Sequence, residues 1–380
     1  MPSRRDFLRI GAGAVTAAIP WRVAAHGRPS LESVQAGSDD GSILLYSNEN
    51  AYGPSAKVLS AITSAAQSAN RYPRLRYNSL TEKIASVHHV SPDRVLLGCG
   101  STELLRMAAC AFLGRGRQLI HASPTFEAIE HYAASVDSEI IAVPLTSAFA
   151  HDVDAMLGRV GPSTALVYVC NPNNPTASLT PRKDLERFIS KLPASTLVVL
   201  DEAYHHYAGT SGMYGSFLDH PVDDQKLIVL RTFSKVYGLA GLRLGYAVAS
   251  PKVIQQMRGF ATQDNVNAIA TETAFVALDD EEGVNDFAQR NANDRQEYFN
   301  QAMARGLKPI DSHANFVMMN TFHPAQEVIQ HFHKNNILIG RQFPPMDTYI
   351  CVSLGRPQEM RSFWQTWDLL PWAKNLMMHH

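Results

Sequence analysis

Cysteine is scarce: four residues in 380, at Cys99, Cys110, Cys170 and Cys351. No two stand at C-x-x-C spacing, so neither a disulfide framework nor a zinc or dithiol motif organises the chain, and the four read as buried free thiols. An excess of charge of one sign is lacking too. Lys and Arg number 34 against 35 for Asp and Glu, which leaves no field for gathering nucleic acid or anionic lipid. The apolar run near the N-terminus, Ile10 to Ile19, is far short of the roughly 20 residues of a membrane-spanning helix and is broken by Gly11 and Gly13. Fifteen histidines, His88-His89 and His205-His206 among them, show no metal-ligand spacing with nearby acids and read as surface or structural. What remains, at 45% hydrophobic and 18% charged residues, is the composition of a globular chain of two or three domains' length.

Paired arginines open the chain. Ser3-Arg4-Arg5-Asp6-Phe7-Leu8-Arg9 precedes the weakly apolar run, and Val23-Ala24-Ala25 follows as a small-residue cleavage pattern. This resembles a twin-arginine export signal over residues 1–25. The resemblance implies passage of the folded protein through the twin-arginine machinery to the periplasm or beyond, with no stable membrane anchor.

Beyond the polar stretch Gly37 to Ser42, short β-branched runs alternate with helical periodicity. Seven runs read as strands: Arg94 to Gly98, Gln118 to His121, Glu139 to Val143, Ala165 to Cys170, Leu197 to Leu200, Leu227 to Arg231 and Leu244 to Ala249. Helical segments such as Ser101 to Leu113 and Pro181 to Leu192 separate them at the spacing of parallel crossovers. The expectation is an α/β fold, with a large, mostly parallel seven-stranded sheet over residues 76–265. From Val266 a long helical stretch, broken near Gly283, predicts a linking segment over 266–305. Strands around Asn315 to Met319, Ile337 to Ile339 and Tyr349 to Leu354, with a helix from Pro324 to Lys334, predict a smaller C-terminal α+β domain over 306–380.

The carboxyl ends of such strands are where an α/β sheet places its ligand. Gly98-Cys99-Gly100-Ser101-Thr102-Glu103 turns tightly into a helix, so its N–H groups and hydroxyls can hold a phosphate; a plain capped turn is the alternative. Asn171-Pro172-Asn173-Asn174-Pro175-Thr176 offers amide donors on a loop shaped by prolines. Asp201-Glu202-Ala203-Tyr204 sets a carboxylate at a buried strand end, which calls for a cationic partner. Arg231-Thr232-Phe233-Ser234-Lys235 brings hydroxyls and an amine to one turn, with Arg243 following.

These motifs, in this order, resemble the fold-type I pyridoxal-phosphate enzymes of aminotransferase class I/II, most closely the histidinol-phosphate aminotransferase family, from about Tyr46 to Phe363. The resemblance implies that Lys235 bonds the cofactor's aldehyde and, once released, moves the proton of the reacting carbon. It implies that Asp201 pairs with the ring nitrogen, keeping it protonated as an electron sink, and that Tyr204 and Asn174 bond the ring's 3-oxygen. Phe126 would stack on the ring, an ordinary core phenylalanine being the alternative. Gly100, Ser101, Thr102, Thr232, Ser234 and Arg243 would hold the phosphate, Arg243 with the bidentate fork that phosphate favours. Tyr72 would reach in from a partner subunit, which implies a homodimer with shared active sites and dimer contacts from an arm over 26–75. Tyr52, in Ser47-Asn48-Glu49-Asn50-Ala51-Tyr52-Gly53-Pro54-Ser55, would face a small-molecule amino donor and acceptor.

One position departs. Family members carry an arginine on a small-domain strand, in a run like L-R-x-(S/T)-x-G, that clamps the substrate's carboxylate. In Ile350-Cys351-Val352-Ser353-Leu354-Gly355 that position is Cys351. Arg341 matches the family's other substrate-side arginine. Arg356, five residues after Cys351, faces the opposite side unless the chain turns. Either Arg341 or Arg356 takes the carboxylate, or the donor has none. Ping-pong transamination is the leading reading; a decarboxylase, racemase or lyase on the same scaffold is the alternative, and a non-catalytic cofactor-binding protein a third.

Overall fold

A computed structural model describes residues 41–219 and 225–373. The expected export signal and the arm as far as residue 40 lie outside the described residues. From Ser42 onward the chain forms one compact unit, and no described helix is long and apolar enough to cross a membrane.

A three-residue strand, β1 (Ile43–Leu45), comes first. Then follow β2 (Val95–Gly98), β3 (Gln118–Ser123), β4 (Glu139–Pro144), β5 (Thr164–Cys170), β6 (Leu197–Asp201), β7 (Leu227–Thr232) and β8 (Gly245–Ala249). These seven make one sheet in the order β2-β8-β7-β6-β5-β3-β4. Strands β4, β3, β5, β6 and β7 run parallel, while β8 lies antiparallel to both β7 and β2. The near-continuous apolar runs of β5, β6 and β7 are the mark of strands buried on both faces. Val167, Val198 and Val229 point to one layer of helices, Leu166, Val199 and Ile228 to the other, all essentially inaccessible. Each parallel crossover therefore delivers the end of its strand, and the loop after it, to the same edge.

The long helical stretch breaks near Gly283 as expected, at Asp280, between helices Ala268–Asp279 and Glu281–Met303. Asp280 accepts the Ser55 hydroxyl at 2.5 Å and pairs with Lys57 at 3.1 Å. Gly283 continues the second helix because a Cβ there would stand 2.3 Å from the Asp280 carboxylate. Past it, β9 (Lys308–Pro309), β10 (Phe316–Asn320) and β12 (Tyr349–Ser353) form an antiparallel sheet in the order β12-β10-β9. The intervening β11 (Ile337–Ile339) does not join it; it pairs in parallel with β1, Ile43 opposite Ile337. Helices Ala325–Lys334 and Pro357–Trp367 cover this layer, with the Phe332 and Phe363 rings stacked at 4.6 Å. The thiols also differ from expectation. Cys170 and Cys351 are buried, but Cys99 is exposed and Cys110 half-buried, since Cys99 precedes the helix Gly100–Phe112 at the open edge of the sheet.

Candidate active site

A cavity of about 550 Å³ opens at that edge. Ser101, Thr102, Phe126, Asn174, Asp201, Tyr204, Thr232, Ser234, Lys235 and Arg243 all line it, drawn from five strand ends. Tyr46, Glu49, Glu127, Arg341, Phe343 and Cys351 line it as well.

Asp201 ends β6 with 3% of its surface exposed. Its carboxylate accepts the Tyr168 hydroxyl at 3.0 Å and the Ala203 N–H at 3.1 Å. Burial nevertheless pushes its pKa up to about 6, against the lowering effect of those bonds and of Lys235. A carboxylate so placed is stabilised by a cation against it. Tyr168 was not among the expected residues; its one signal is a phenol within the apolar run of β5.

The Asn171–Thr176 loop is held by its own amides. Asn171 exchanges two bonds with Thr180, at 3.0 and 2.9 Å, while Asn173 donates to Pro124 O at 3.1 Å and to Thr176 at 2.8 Å. Asn174 is left to donate to the Tyr204 hydroxyl at 3.2 Å. A second amide, Asn48 Nδ2, reaches the same oxygen at 3.2 Å. Asn48, which the sequence marks only as one residue of the arm, is buried at φ 55° and also bonds Ser353 twice. Its carbonyl, with that of Ser47, accepts the Lys235 amine at 3.0 and 3.2 Å. Burial lowers the Lys235 pKa to about 8, with Arg243 adding to the effect and Glu49 opposing it.

At the other end, Thr232 donates to Ser234 at 3.0 Å and Arg243 to the same Ser234 oxygen at 3.2 Å. Gly100 at φ +74° and Gly245 bring the two loops together: a Cβ on Gly245 would stand 2.5 Å from Ser101 N. The result is a pocket of N–H groups, hydroxyls and one guanidinium, suited to a phosphate. Carboxylate, amide-held phenol, depressed amine and phosphate cradle thus lie around one cavity. That donor set fits the ring nitrogen, 3-oxygen, aldehyde and phosphate of pyridoxal phosphate.

The comparisons agree with this chemistry. Residues 40–365 match the family model described as aminotransferase class I and II. The chain belongs to that family. It is 35% identical over 323 residues to the histidinol-phosphate aminotransferase of Moorella thermoacetica, covering 84% of this chain and 83% of that one. It is 36% identical over 321 residues to histidinol-phosphate aminotransferase 2 of Carboxydothermus hydrogenoformans, covering 84% and 88%. The crystal structure of the Sinorhizobium meliloti histidinol-phosphate aminotransferase with pyridoxal-5'-phosphate superposes with a TM-score of 0.81 at 27% identity, covering 88% and 91%. The fold is fold-type I, and the protein is a pyridoxal-phosphate-dependent aminotransferase.

The substrate side of this aminotransferase departs from expectation at two residues. Tyr52 does not line the cavity. The turn closed by Gly53 N to Asn50 O at 3.0 Å carries its ring against Phe287, where the hydroxyl donates to Asp294 at 2.8 Å. Arg356 does not line it either. The strand ends at Ser353 and the chain turns, but Arg356 becomes the cap of Pro357–Trp367 and donates from Nε to Ala51 O at 2.9 Å. Cys351 does face the cavity; burial pushes its thiol up to about 12, so it is neutral. Arg341 faces the cavity beside it. Tyr72 is 73% exposed on this chain, and Leu75 83%.

Proposed function

We propose that the donor of this aminotransferase is a primary amine whose reacting carbon carries no carboxylate in need of a guanidinium clamp. The observation that carries the reading is Cys351: a neutral thiol occupies the cavity wall where the family's arginine is expected, and Arg356 is committed elsewhere. A thiol forms no bidentate pair with a carboxylate.

In this reading each residue has a stated task. Bound pyridoxal phosphate supplies an electron sink, its protonated ring accepting the electron pair released at the donor's amino-bearing carbon. Asp201 holds the proton on the ring nitrogen. Tyr204, fixed by Asn48 and Asn174, offers its hydroxyl to the ring oxygen, and Phe126 gives the cavity an aromatic wall. Ser101, Thr102, Thr232, Ser234 and Arg243, with the bare backbone of Gly100, grip the phosphate. Lys235 anchors the cofactor and then takes and returns the donor's proton; an amine with its pKa near 8 has a sizeable neutral fraction at neutral pH.

The test is a single-turnover screen, following loss of the bound cofactor's visible absorbance. Aliphatic amines, amino alcohols and histidinol phosphate, the last suggested by the relatives' names and itself free of an α-carboxylate, are set against glutamate and other α-amino acids. Carboxylate-free donors should react at least tenfold more efficiently; parity or a preference for glutamate would refute the reading.

Two further parts belong to this proposal. A homodimer with shared sites is supported by the exposed Tyr72 and Leu75. Co-folded Tyr72→Ala and Lys235→Ala chains should then recover part of the activity that each lacks alone. Export by the twin-arginine route is supported by Arg4-Arg5 and by a cofactor best loaded before passage.

A further inference from the structure

Arg341 already has partners before any substrate arrives. Its Nη2 lies 2.5 Å from the Glu127 carboxylate, its Nη1 donates to Gln342 O at 2.9 Å, and its guanidinium lies over the Phe343 ring at 4.1 Å. Glu127 follows Phe126 directly and comes from the loop after β3, whereas Arg341 follows β11, so the pair bridges the two layers across the cavity. Apart from Arg243, which belongs to the phosphate cradle, Arg341 is the cavity's one guanidinium among the described residues. Three carboxylates line the same cavity: Asp201, which faces the cofactor's ring nitrogen, and Glu49 and Glu127. With Asp201, Lys235 and Arg243 given to the cofactor, one cation and two anions remain in the lining, and that cation already has an internal anion.

We propose that Glu127 is a specificity-determining residue, a displaceable internal counter-ion that occupies Arg341. A neutral donor leaves the pair intact. A carboxylate-bearing molecule must first displace Glu127, exchanging one ion pair for another and gaining little. With side chains 51% and 62% exposed, the pair is open to solvent, so it weakens carboxylate binding without abolishing it. A ping-pong enzyme needs such a compromise if one site is to take a carboxylate-free amine in one half-reaction and a carboxylate-bearing acceptor in the other. The inference rests on the proposed donor class for its purpose, but not for its test.

The test measures binding of succinate, a non-reacting dicarboxylate, to the cofactor-loaded enzyme, read from the perturbation of the cofactor's absorbance. Glu127→Gln should tighten succinate by about twofold to fivefold, and shift the ratio of turnover efficiencies toward glutamate over a neutral amine by a similar factor. Arg341→Gln should weaken succinate in either background, and in the double variant the gain from Glu127→Gln should vanish. Succinate binding unchanged or weakened in Glu127→Gln overturns the proposal, as does a gain that survives in the double variant. A wild-type enzyme that prefers glutamate would defeat the donor reading alone, since the succinate cycle is read independently of it.

Discussion

A β-carbon on Gly100 would stand 2.3 Å from Nη2 of Arg243, so the bare backbone of one loop is the surface against which the guanidinium of the other lies. Gly100→Ala should leave the fold standing, because the atom it meets is the end of a flexible side chain; the left-handed φ costs about 1 kcal/mol. Affinity for pyridoxal phosphate should fall at least tenfold while that for phosphate-free pyridoxal changes much less. Equilibrium absorbance titrations with both compounds check this, and equal losses would remove Arg243 from the phosphate site.

Lys235→Ala should keep a folded protein that binds the cofactor only non-covalently, with no borohydride-reducible linkage and no turnover. In the wild-type protein stripped of cofactor, the amine with pKa about 8 is the nucleophile only when neutral. The rate of cofactor capture should accordingly rise with pH through about 8 and level off above it. A rate flat from pH 6.5 to 9.5, followed by stopped-flow absorbance, would contradict the role.

Asp201 carries a pH signature in the cofactor-free protein. Its folded pKa of about 6 lies above the ordinary carboxylate value, so folding favours the protonated form. Its contribution is present below the ordinary value and is lost as pH rises through about 6, a loss of about 3 kcal/mol. Asp201→Asn removes that loss, so the variant's melting temperature should gain on wild type between pH 4 and pH 7. Adding cofactor should raise the wild-type value more than the variant's, since only a carboxylate pairs with a protonated ring. A gap constant across this range would show that the carboxylate is not held as described.

Cys351→Arg should raise efficiency with glutamate at least tenfold relative to carboxylate-free amines, because a buried guanidinium rewards a carboxylate and is left unpaired without one. Arg356→Ala should leave that ratio untouched. Its contact is with Ala51 O outside the cavity, and its loss should cost about 1 kcal/mol of stability at most. A selective collapse of carboxylate turnover in Arg356→Ala would mean that the side chain reaches the substrate after all.

Arg4→Lys with Arg5→Lys should retain the protein in the cytoplasm, folded and loaded with cofactor, as cell fractionation would show. Wild-type protein found wholly in the cytoplasm, or a distribution unchanged in the variant, would overturn the proposed twin-arginine route.

The sheet was legible because strands buried on both faces need uninterrupted apolar runs, and β5, β6 and β7 have them. On the cofactor side the strand-end motifs could be placed at one edge of the sheet because parallel crossovers deliver their loops there, while the tasks of Asp201, Lys235 and Asn174 came from the family resemblance. Tyr52 was not legible: whether it faces the cavity depends on the turn through Asn50 to Gly53, and no local pattern fixes which way that turn delivers the ring. Nor was Glu127, whose partner lies more than two hundred positions on. The break expected near Gly283 falls three residues earlier, at Asp280, because the glycine makes room for the aspartate and does not itself end the helix. Strand β1 is three residues long and gains its identity only from β11.

That pairing sets a limit on how the chain can be matured. Strand β1 joins the beginning of the described chain to its last third, and three residues later Asn48 touches Ser353, Tyr204 and Lys235. A peptidase that trimmed past Ile43 would break into that strand, and one that trimmed past Asn48 would also remove a hydrogen-bond donor to the Tyr204 phenol and the carbonyls that hold the lysine. Any cut directed by the expected signal would therefore have to fall before this seam. The small-residue pattern at Val23-Ala24-Ala25 falls on the permitted side of it.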